Sequence, residues 1–238
     1  MTDEPSSQSM TDRAYGSIRK WLLSGELGPG QKLNMIEMCR SLDVSQGAVR
    51  EALSRLHAEG LVIVEQNRGY RAAPISAAEL REIAEARLVI DSKCLRLAIE
   101  NGDIEWEGSV LAASHRAERY LKLYDGTPAT GEPFTQARIA FYETLLAPCG
   151  NGWLLHMHRL LYAQLSRYRH LCLPFATDKK KLYERDGGFV TAILTRDADT
   201  AVEMLADHSE DVTNRMLTVF EQGGIRSGRR AAPMLRAL

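Results

Sequence analysis

The sequence predicts a mainly α fold in two parts: an N-terminal winged helix-turn-helix of three helices and a β-hairpin, followed by an all-α bundle of six to seven helices. Three observations predict this fold. Apolar residues recur at helical spacing through most of the chain, strand-like residues are confined to positions 61–73, and Gly and Pro separate segments of helix length. The expected parts are a flexible leader (1–10), a small domain (11–74), a helical domain (75–222) and a flexible basic tail (223–238).

The composition is that of an ordinary globular protein, since 45% of the 238 residues are hydrophobic and 30 Lys and Arg face 31 Asp and Glu. Uncharged apolar runs fall short of the roughly 20 residues of a membrane helix, and the first ten residues are polar, without the apolar core of a signal peptide. We therefore expect a cytoplasmic protein with no membrane partner. Cys39, Cys94, Cys149 and Cys172 are widely spaced, which predicts reduced thiols that build no site.

The first domain begins with three amphipathic helices. The first starts at Thr11 and stops at Ser24, and the second opens at Asn34, which forms a capping-box pattern with the Glu three residues later. Ser45 is a good N-cap for the third, which stops at Gly60. Two short helices joined by a tight turn indicate a helix-turn-helix.

A hairpin follows the third helix. Residues 61–64 are β-rich, 65–69 are turn-like, and 70–73 return as a second strand, which completes a winged helix. Residues 11–74 carry nine basic and seven acidic side chains, so the near-neutral total conceals a mildly basic first domain. A basic winged helix indicates a protein that binds double-stranded DNA.

Helix-turn-helix proteins insert the first half of their second helix into the major groove. Gln can pair with adenine and Arg with guanine, so Gln46 and Arg50 are the best candidates for base readout. The full set of expected DNA-binding residues is Ser45, Gln46, Arg50 and Arg55 on the helix, with Arg68, Gly69 and Arg71 in the wing. The alternative is a helical hairpin whose arginines are only solvated and bind no DNA. The acidic residues Glu51 and Glu59 are consistent with this alternative.

The rest of the chain reads as helix. After a linker at 74–77, apolar residues define one buried stripe of a helix of about 23 residues. Further amphipathic segments cover 103–124, 133–147, 152–172, 178–196 and 198–222, and Gly or Pro residues such as Pro128 and Gly131 separate several of them. Helices of this number and length predict a bundle.

Four polar residues occupy positions that the helical periodicity assigns to the bundle core: Arg87, Arg138, Asp186 and His208. A buried charge costs several kcal/mol unless it has a partner, a metal or a charged ligand. Each residue alone could be a satisfied core group. Four of them from four helices favour a ligand or metal site inside the bundle.

Several segments resemble a known family. The N-terminal segments 32–35, 44–53, 59–62 and 68–70 resemble the winged helix of the GntR family of bacterial transcription regulators, which usually has a basic residue and a Thr-Pro pair where this chain has Gln46, Gly47 and Ala48. Residues 85–87, 149–151 and 191–208 resemble the FCD effector domain of its FadR-type branch. The resemblance implies a homodimeric repressor that a small carboxylate, such as glutarate, releases from an inverted-repeat operator.

The FCD resemblance also implies a divalent metal held by one Asp and three His. Those positions carry Arg138, Tyr142, Asp186 and His208 here, so three of the four ligands are changed. Asp186 and His208 alone cannot hold zinc or nickel, which disfavours a metal and leaves no expected cofactor.

We therefore expect the guanidinium of Arg138 to replace the metal and to anchor an anionic effector with Arg87 and Arg169, while Tyr142 and His208 donate hydrogen bonds. Asp186 could instead pair with Arg138 and close the site internally.

Two other functions are possible for this fold. An enzyme could use Asp186, His208 and Tyr142 as acid and base groups, but no nucleophile motif, phosphate loop or metal-ligand spacing supports it, so we expect no enzyme. The third possibility is an activator, or a DNA-bound protein that senses nothing.

Overall fold

The structure, a computed structural model, describes the backbone of residues 9–66, 68–172 and 179–221, and the side chains of these residues except 128, 170–172 and 179–185. Within these ranges the chain forms nine α-helices and one three-stranded sheet. The elements are α1 (Met10–Leu23), β1 (Lys32–Leu33), α2 (Met35–Leu42), α3 (Gln46–Ala58), β2 (Val62–Glu65), β3 (Gly69–Ala72), α4 (Ala77–Asn101), α5 (Ile104–Leu123), α6 (Pro128–Leu146), α7 (Gly152–Cys172), α8 (Lys179–Leu194) and α9 (Ala198–Glu221). The predicted fold class is confirmed.

The chain divides into two compact units. The N-terminal unit comprises the described residues of Met1–Leu80, Ala163–Leu171 and Phe220–Leu238, and the helical unit those of Arg81–Tyr162 and Cys172–Val219. The helix α7 thus contributes residues to both. The predicted basic tail lies outside the described residues.

Side chains cap each helix of the helix-turn-helix. Asn34 Oδ1 accepts from the backbone N–H groups of Ile36 and Glu37, at 3.1 and 3.3 Å. Ser45 Oγ accepts from the backbone N–H of Ala48 at 3.2 Å. Both caps were predicted. The first helix begins at Met10, one residue earlier than expected, because Ser9 caps it by accepting from the N–H of Asp12.

The sheet has the order β1-β3-β2, with both pairs antiparallel. The hairpin of β2 and β3 was predicted, with ends that differ by one residue. The strand β1 was missed because two residues are too short to show an alternation. Apolar side chains of α1, α3 and β2 form the core of this unit, among them the fully buried Ile18, Val49, Leu53, Leu56 and Val62.

The last turns of α7 pack against the linker and the end of α3. Gln164 Nε2 donates to the carbonyl of Glu59, and Arg167 Nη1 donates to the carbonyls of Ala73 and Pro74. The backbone N–H of Ser76 donates to the hydroxyl of Tyr168. Residues 73–76 therefore form a connection that is fixed by side chains from a distant helix.

The helical unit buries an apolar core drawn from α4 to α9, with Trp106, Leu145, Ile193 and Ala201 among its members. The helix α6 begins at Pro128, so our expectation of a start near 133 was wrong. Proline is favoured in the first turn of a helix, where its missing N–H has no partner to lose. No described helix combines the length and apolar character needed to cross a membrane.

Candidate functional site

One face of α3 is exposed and carries polar side chains. Ser45, Gln46 and Arg50 are all exposed, while Val49 and Leu53 are buried beneath them. The hydroxyl of Ser45 is occupied as the N-cap. The side chains of Gln46 and Arg50 form no hydrogen bond or ion pair with the described part of the chain, so their donors are available to a partner.

Small residues lie along the middle of this exposed face. Successive helical residues are turned by about 100°, so Gly47 lies roughly opposite Leu56, which is fully buried. Ser54, seven residues after Gly47, falls on the same line and is exposed. Ser54 was not among the predicted residues, although helical spacing from Gln46 and Arg50 could have found it.

Arg55 lies at the side of α3 that faces α1. Its Nη1 is 2.9 Å from Asp12 Oδ1, and its guanidinium lies 4.1 Å from the centre of the Tyr15 ring. The hydrogen bond from Arg55 lowers the pKa of Asp12. The structure thus places Arg55 in the packing of α1 on α3 and away from Gln46 and Arg50.

The two wing arginines have different surroundings. Arg68 is exposed in the turn before Gly69, whose φ of 90° favours glycine. Arg71 is half-buried, because its Nε donates to Glu65 Oε1 at 2.6 Å and its Nη1 donates to the carbonyl of Gly30 at 3.0 Å. Arg68 is thus free to reach a partner, whereas Arg71 braces the sheet.

Three other basic residues in this unit were not among the predicted DNA-binding residues. Arg13 Nη2 donates to the carbonyls of Leu42 and Asp43, at 3.1 and 2.6 Å, and so holds the turn between α2 and α3. Lys32 and Arg40 are exposed, on β1 and α2. Both lie outside the recognition helix and the wing, which supplied all the predicted DNA-binding residues.

In the helical unit, Arg138 is buried and paired with Asp186. Arg138 Nη1 donates to Asp186 Oδ2 at 2.8 Å, with side-chain exposures of 8% for Arg138 and 29% for Asp186. Burial, the largest single influence, lowers the pKa of Arg138, but Asp186, Tyr142 and Tyr162 together outweigh it, so the pKa is raised. The guanidinium therefore stays charged inside the unit, and the internal pair with Asp186 is the arrangement in the structure.

Arg87 belongs to a second buried ionic group. Its Nε is 2.9 Å from Asp91 Oδ2, and His158 Nδ1 is 2.6 Å from Asp91 Oδ1. The guanidinium also lies 5.0 Å from the ring centre of Tyr162. We missed Asp91, His158 and Tyr162. Asp91 was detectable as the residue one helical turn after Arg87, but the contacts from α7 were not.

The two arginines share Tyr162 as a neighbour, since it interacts electrostatically with Arg138 as well as stacking with Arg87. Nη1 of Arg138 and Nε of Arg87 face carboxylates, and their other guanidinium nitrogens form no hydrogen bond with the described residues. One buried and one largely buried cation with donors left over can bind an anion.

The remaining predicted effector residues differ in position. Tyr142 is buried, and its ring centre lies 5.7 Å from the Arg138 guanidinium. His208 is half-buried on α9 of the same unit. Arg169 belongs to the N-terminal unit. Among the described residues, no group of three His, Cys, Asp or Glu side chains could hold a metal.

Cys94 and Cys149 are both buried in the helical unit and lie close enough to influence each other, which sequence spacing did not predict. Burial, together with Cys149, raises the pKa of Cys94 to about 12. A thiol with that pKa stays protonated near neutral pH and is a poor nucleophile.

Two family models match the chain, in agreement with the two resemblances. The model of the bacterial regulatory proteins of the gntR family matches residues 10–71, and the FCD domain matches residues 82–211. Together they cover the helix-turn-helix, the wing and most of the helical unit.

Two curated relatives are also named as transcription regulators. The chain is 30% identical over 223 residues to the uncharacterized regulator BphR of Paraburkholderia xenovorans, covering 92% of this chain and 88% of the relative. It is 31% identical over 198 residues to the transcriptional repressor GlaR of Escherichia coli, covering 82% and 90%.

Among solved structures, McbR/YncC of E. coli matches with a TM-score of 0.76 at 19% identity, covering 89% of this chain and 99% of that chain. A putative GntR regulator from Rhodococcus sp. RHA1 matches with a TM-score of 0.69 at 23% identity, covering 87% and 97%. These two matches support the fold. The family models and the curated relatives named above are all transcription regulators, which rules out the enzyme alternative. The chain belongs to the GntR family of bacterial transcription regulators and pairs a helix-turn-helix DNA-binding domain with an FCD effector domain.

Proposed function

We propose that the protein is a cytoplasmic, homodimeric repressor whose α3 reads an inverted-repeat operator, and that a small carboxylate bound at Arg138 and Arg87 releases it. The observation that carries this proposal is that the buried guanidinium of Arg138 and the largely buried guanidinium of Arg87 share Tyr162 as a neighbour. Two relatives from E. coli, GlaR and RspR, are named as repressors, which supports the direction of regulation.

The DNA contacts follow from the exposed face of α3. Gln46 and Arg50 have the donors that recognise adenine and guanine in the major groove, and both are exposed and unoccupied. Arg68 at the tip of the wing would contact phosphate or the minor groove. Arg55 and Arg71 support α1 and the sheet, so we leave them out of the proposed interface.

A homodimer would match an inverted repeat, because two-fold symmetry gives each winged helix one half-site. GntR regulators typically act in this way. Light scattering after size-exclusion chromatography should give twice the 26.6 kDa of one chain. A mass of 26.6 kDa at micromolar concentration would contradict the dimer.

Charge and geometry support the effector site. A guanidinium is a planar fork that binds a carboxylate through two parallel hydrogen bonds, and Arg138 and Arg87 each retain nitrogens for such a bond. Tyr142, buried beside Arg138, supplies a hydroxyl. Asp186 keeps Arg138 paired without ligand, and its partial exposure allows it to turn away when an anion enters.

We propose that no divalent metal is needed. Arg138 brings a positive charge to one of the positions at which the family resemblance implies a metal ligand, and Asp186 and His208 are too few to form a zinc or nickel site. Metal analysis of protein purified without chelators should find a small fraction of one metal per chain. Near-stoichiometric zinc, nickel or manganese would overturn this part.

A thermal-shift series of mono- and dicarboxylates, with glutarate first because of the family resemblance, tests the effector site. A ligand that binds the native state raises the melting midpoint as its concentration rises. We expect at least one carboxylate to raise the midpoint of the unmodified protein and of Arg96→Ala, but not that of Arg138→Ala. Arg96 is the matched control, because it pairs with Asp199 at the surface of the same unit.

Arg138→Ala must first give the circular-dichroism spectrum of the unmodified protein, and Arg138→Lys, which keeps the charge without the planar fork, serves as a second variant. An equal shift in all the variants would contradict the proposed site. No shift with any carboxylate would contradict the proposed effector class.

A further inference from the structure

The centre of the exposed face of α3 is a glycine that the fold does not need. Gly47 has an ordinary helical backbone, since its φ is not positive. A Cβ at this position would meet only Ser45 Oγ, at 3.8 Å, which is a normal van der Waals contact. The protein therefore has room for a side chain at residue 47.

Glycine is unfavourable in a helix. Relative to alanine it costs about 1 kcal/mol in a helix interior, because it loses more backbone freedom on folding, and this is an upper bound for Gly47, which is the second residue of α3. Within the described residues nothing offsets this cost, since no atom of the protein comes close enough to exclude a methyl group. The advantage of the missing side chain must then lie outside the free protein.

The position of Gly47 indicates what that advantage is. It lies on the line of α3 that points furthest from the buried Leu56, between Gln46 on one side and the exposed Glu51 on the other, and one turn before Arg50. A surface that covers the whole exposed face of α3, including Gln46 and Arg50, lies directly over residue 47. Ser54, two turns along the same line, is also small.

We propose that Gly47 determines how deeply α3 enters the major groove of its operator, and so which base edges Gln46 and Arg50 can reach. A side chain at residue 47 would separate the helix from the base pairs by the thickness of a methyl group or more. Gly47 is then a specificity-determining residue that acts by having no side chain. This inference rests on the proposed role of α3 as the recognition helix.

The test compares stability with DNA binding. A random duplex library is selected on the unmodified protein, and binding of the recovered duplex is measured by fluorescence anisotropy at fixed salt concentration for Gly47→Ala, Gly16→Ala and Arg50→Ala. Gly16 is the matched control, because it is an exposed mid-helix glycine of α1 at which a Cβ would meet no neighbouring atom within 4 Å.

We expect Gly47→Ala to bind the duplex at least tenfold more weakly while its melting midpoint equals or exceeds that of the unmodified protein. Gly16→Ala should show the same direction of change in the midpoint and unchanged binding. Selection with Gly47→Thr should recover different base pairs at the positions that Gln46 and Arg50 read.

The outcomes separate the two proposals. If Arg50→Ala binds weakly while Gly47→Ala binds as well as the unmodified protein, the inference about Gly47 is wrong and the recognition helix stands. If neither substitution weakens binding, the proposed role of α3 is wrong as well.

Discussion

The carboxylate of Asp91 is buried and contacts two side chains of the helical unit. Its exposure is 4%, and its two oxygens lie 2.9 Å from Arg87 Nε and 2.6 Å from His158 Nδ1. Removing one member of a buried ionic group leaves the others without compensation in a medium of low dielectric constant. Asp91 is therefore expected to contribute to the stability of the helical unit as well as to the orientation of Arg87.

Asp91→Asn should lower the free energy of unfolding by about 3 kcal/mol, because the amide cannot offset the charge of Arg87. The control is Asp199→Asn, since Asp199 also pairs with an arginine but is 87% exposed. Surface pairs of this kind contribute little. Melting midpoints by circular dichroism test the comparison, and equal midpoints for the two variants would contradict the buried role of Asp91.

Tyr168 gives a prediction about pH. Burial raises the pKa of Tyr168, and its hydrogen bond to Glu79 raises it further. A tyrosine in the unfolded chain loses its proton near pH 10, whereas folded Tyr168 keeps it. Its contribution is therefore fully present below about pH 10 and is lost as the pH rises further.

We expect the difference in melting midpoint between the unmodified protein and Tyr168→Phe to shrink as the pH is raised from about 9 to about 11. Phenylalanine fills the same space but has no proton to lose. Parallel curves over this range would mean that Tyr168 does not retain its proton in the folded state.

At the scale of the elements, Ser45 combines two roles that can be separated. Its hydroxyl caps α3, and its position is exposed beside Gln46. Aspartate also caps helices well and is favoured by the helix dipole, but it would repel DNA phosphates.

Ser45→Asp should therefore keep the melting midpoint of the unmodified protein and lose affinity for DNA. Ser45→Ala should cost about 1 kcal/mol of stability, because the N–H of Ala48 loses its acceptor. Anisotropy and thermal melts of the two variants check this pattern. Unchanged DNA affinity in Ser45→Asp would remove Ser45 from the interface.

Elements with a local signal were predictable from the sequence, and contacts between distant residues were not. Helical spacing and the caps at Asn34 and Ser45 gave the helix-turn-helix within one residue. The start of α6 was wrong because Pro128 was interpreted as a separator, although proline also begins helices.

The buried ionic groups were predictable in part, for the same reason. Inward spacing identified Arg87 and Arg138, but the neighbours of Arg87 include Tyr162 of α7, 75 positions away in sequence. Arg55 and Arg71 were predicted to contact DNA from their places on the helix and in the wing, and this stays a prediction. Their partners, Asp12 and Glu65, are visible only in the folded chain.

At the scale of the whole molecule, the charge bears on how DNA is bound. The chain has a net charge of -1, and the first domain carries only a small positive excess. Nonspecific DNA affinity comes mainly from phosphate neutralisation, so it should be weak here, and tight binding should depend on base readout from two half-sites.

The most direct test of base readout by α3 is the affinity of Arg50→Ala for the duplex selected by the unmodified protein, measured by fluorescence anisotropy alongside a scrambled duplex at the same salt concentration. We expect Arg50→Ala to lose at least tenfold in affinity for the selected duplex, to bind the scrambled duplex much as before, and to keep the thermal shift produced by the effector. An affinity for the selected duplex equal to that of the unmodified protein would contradict the proposed readout.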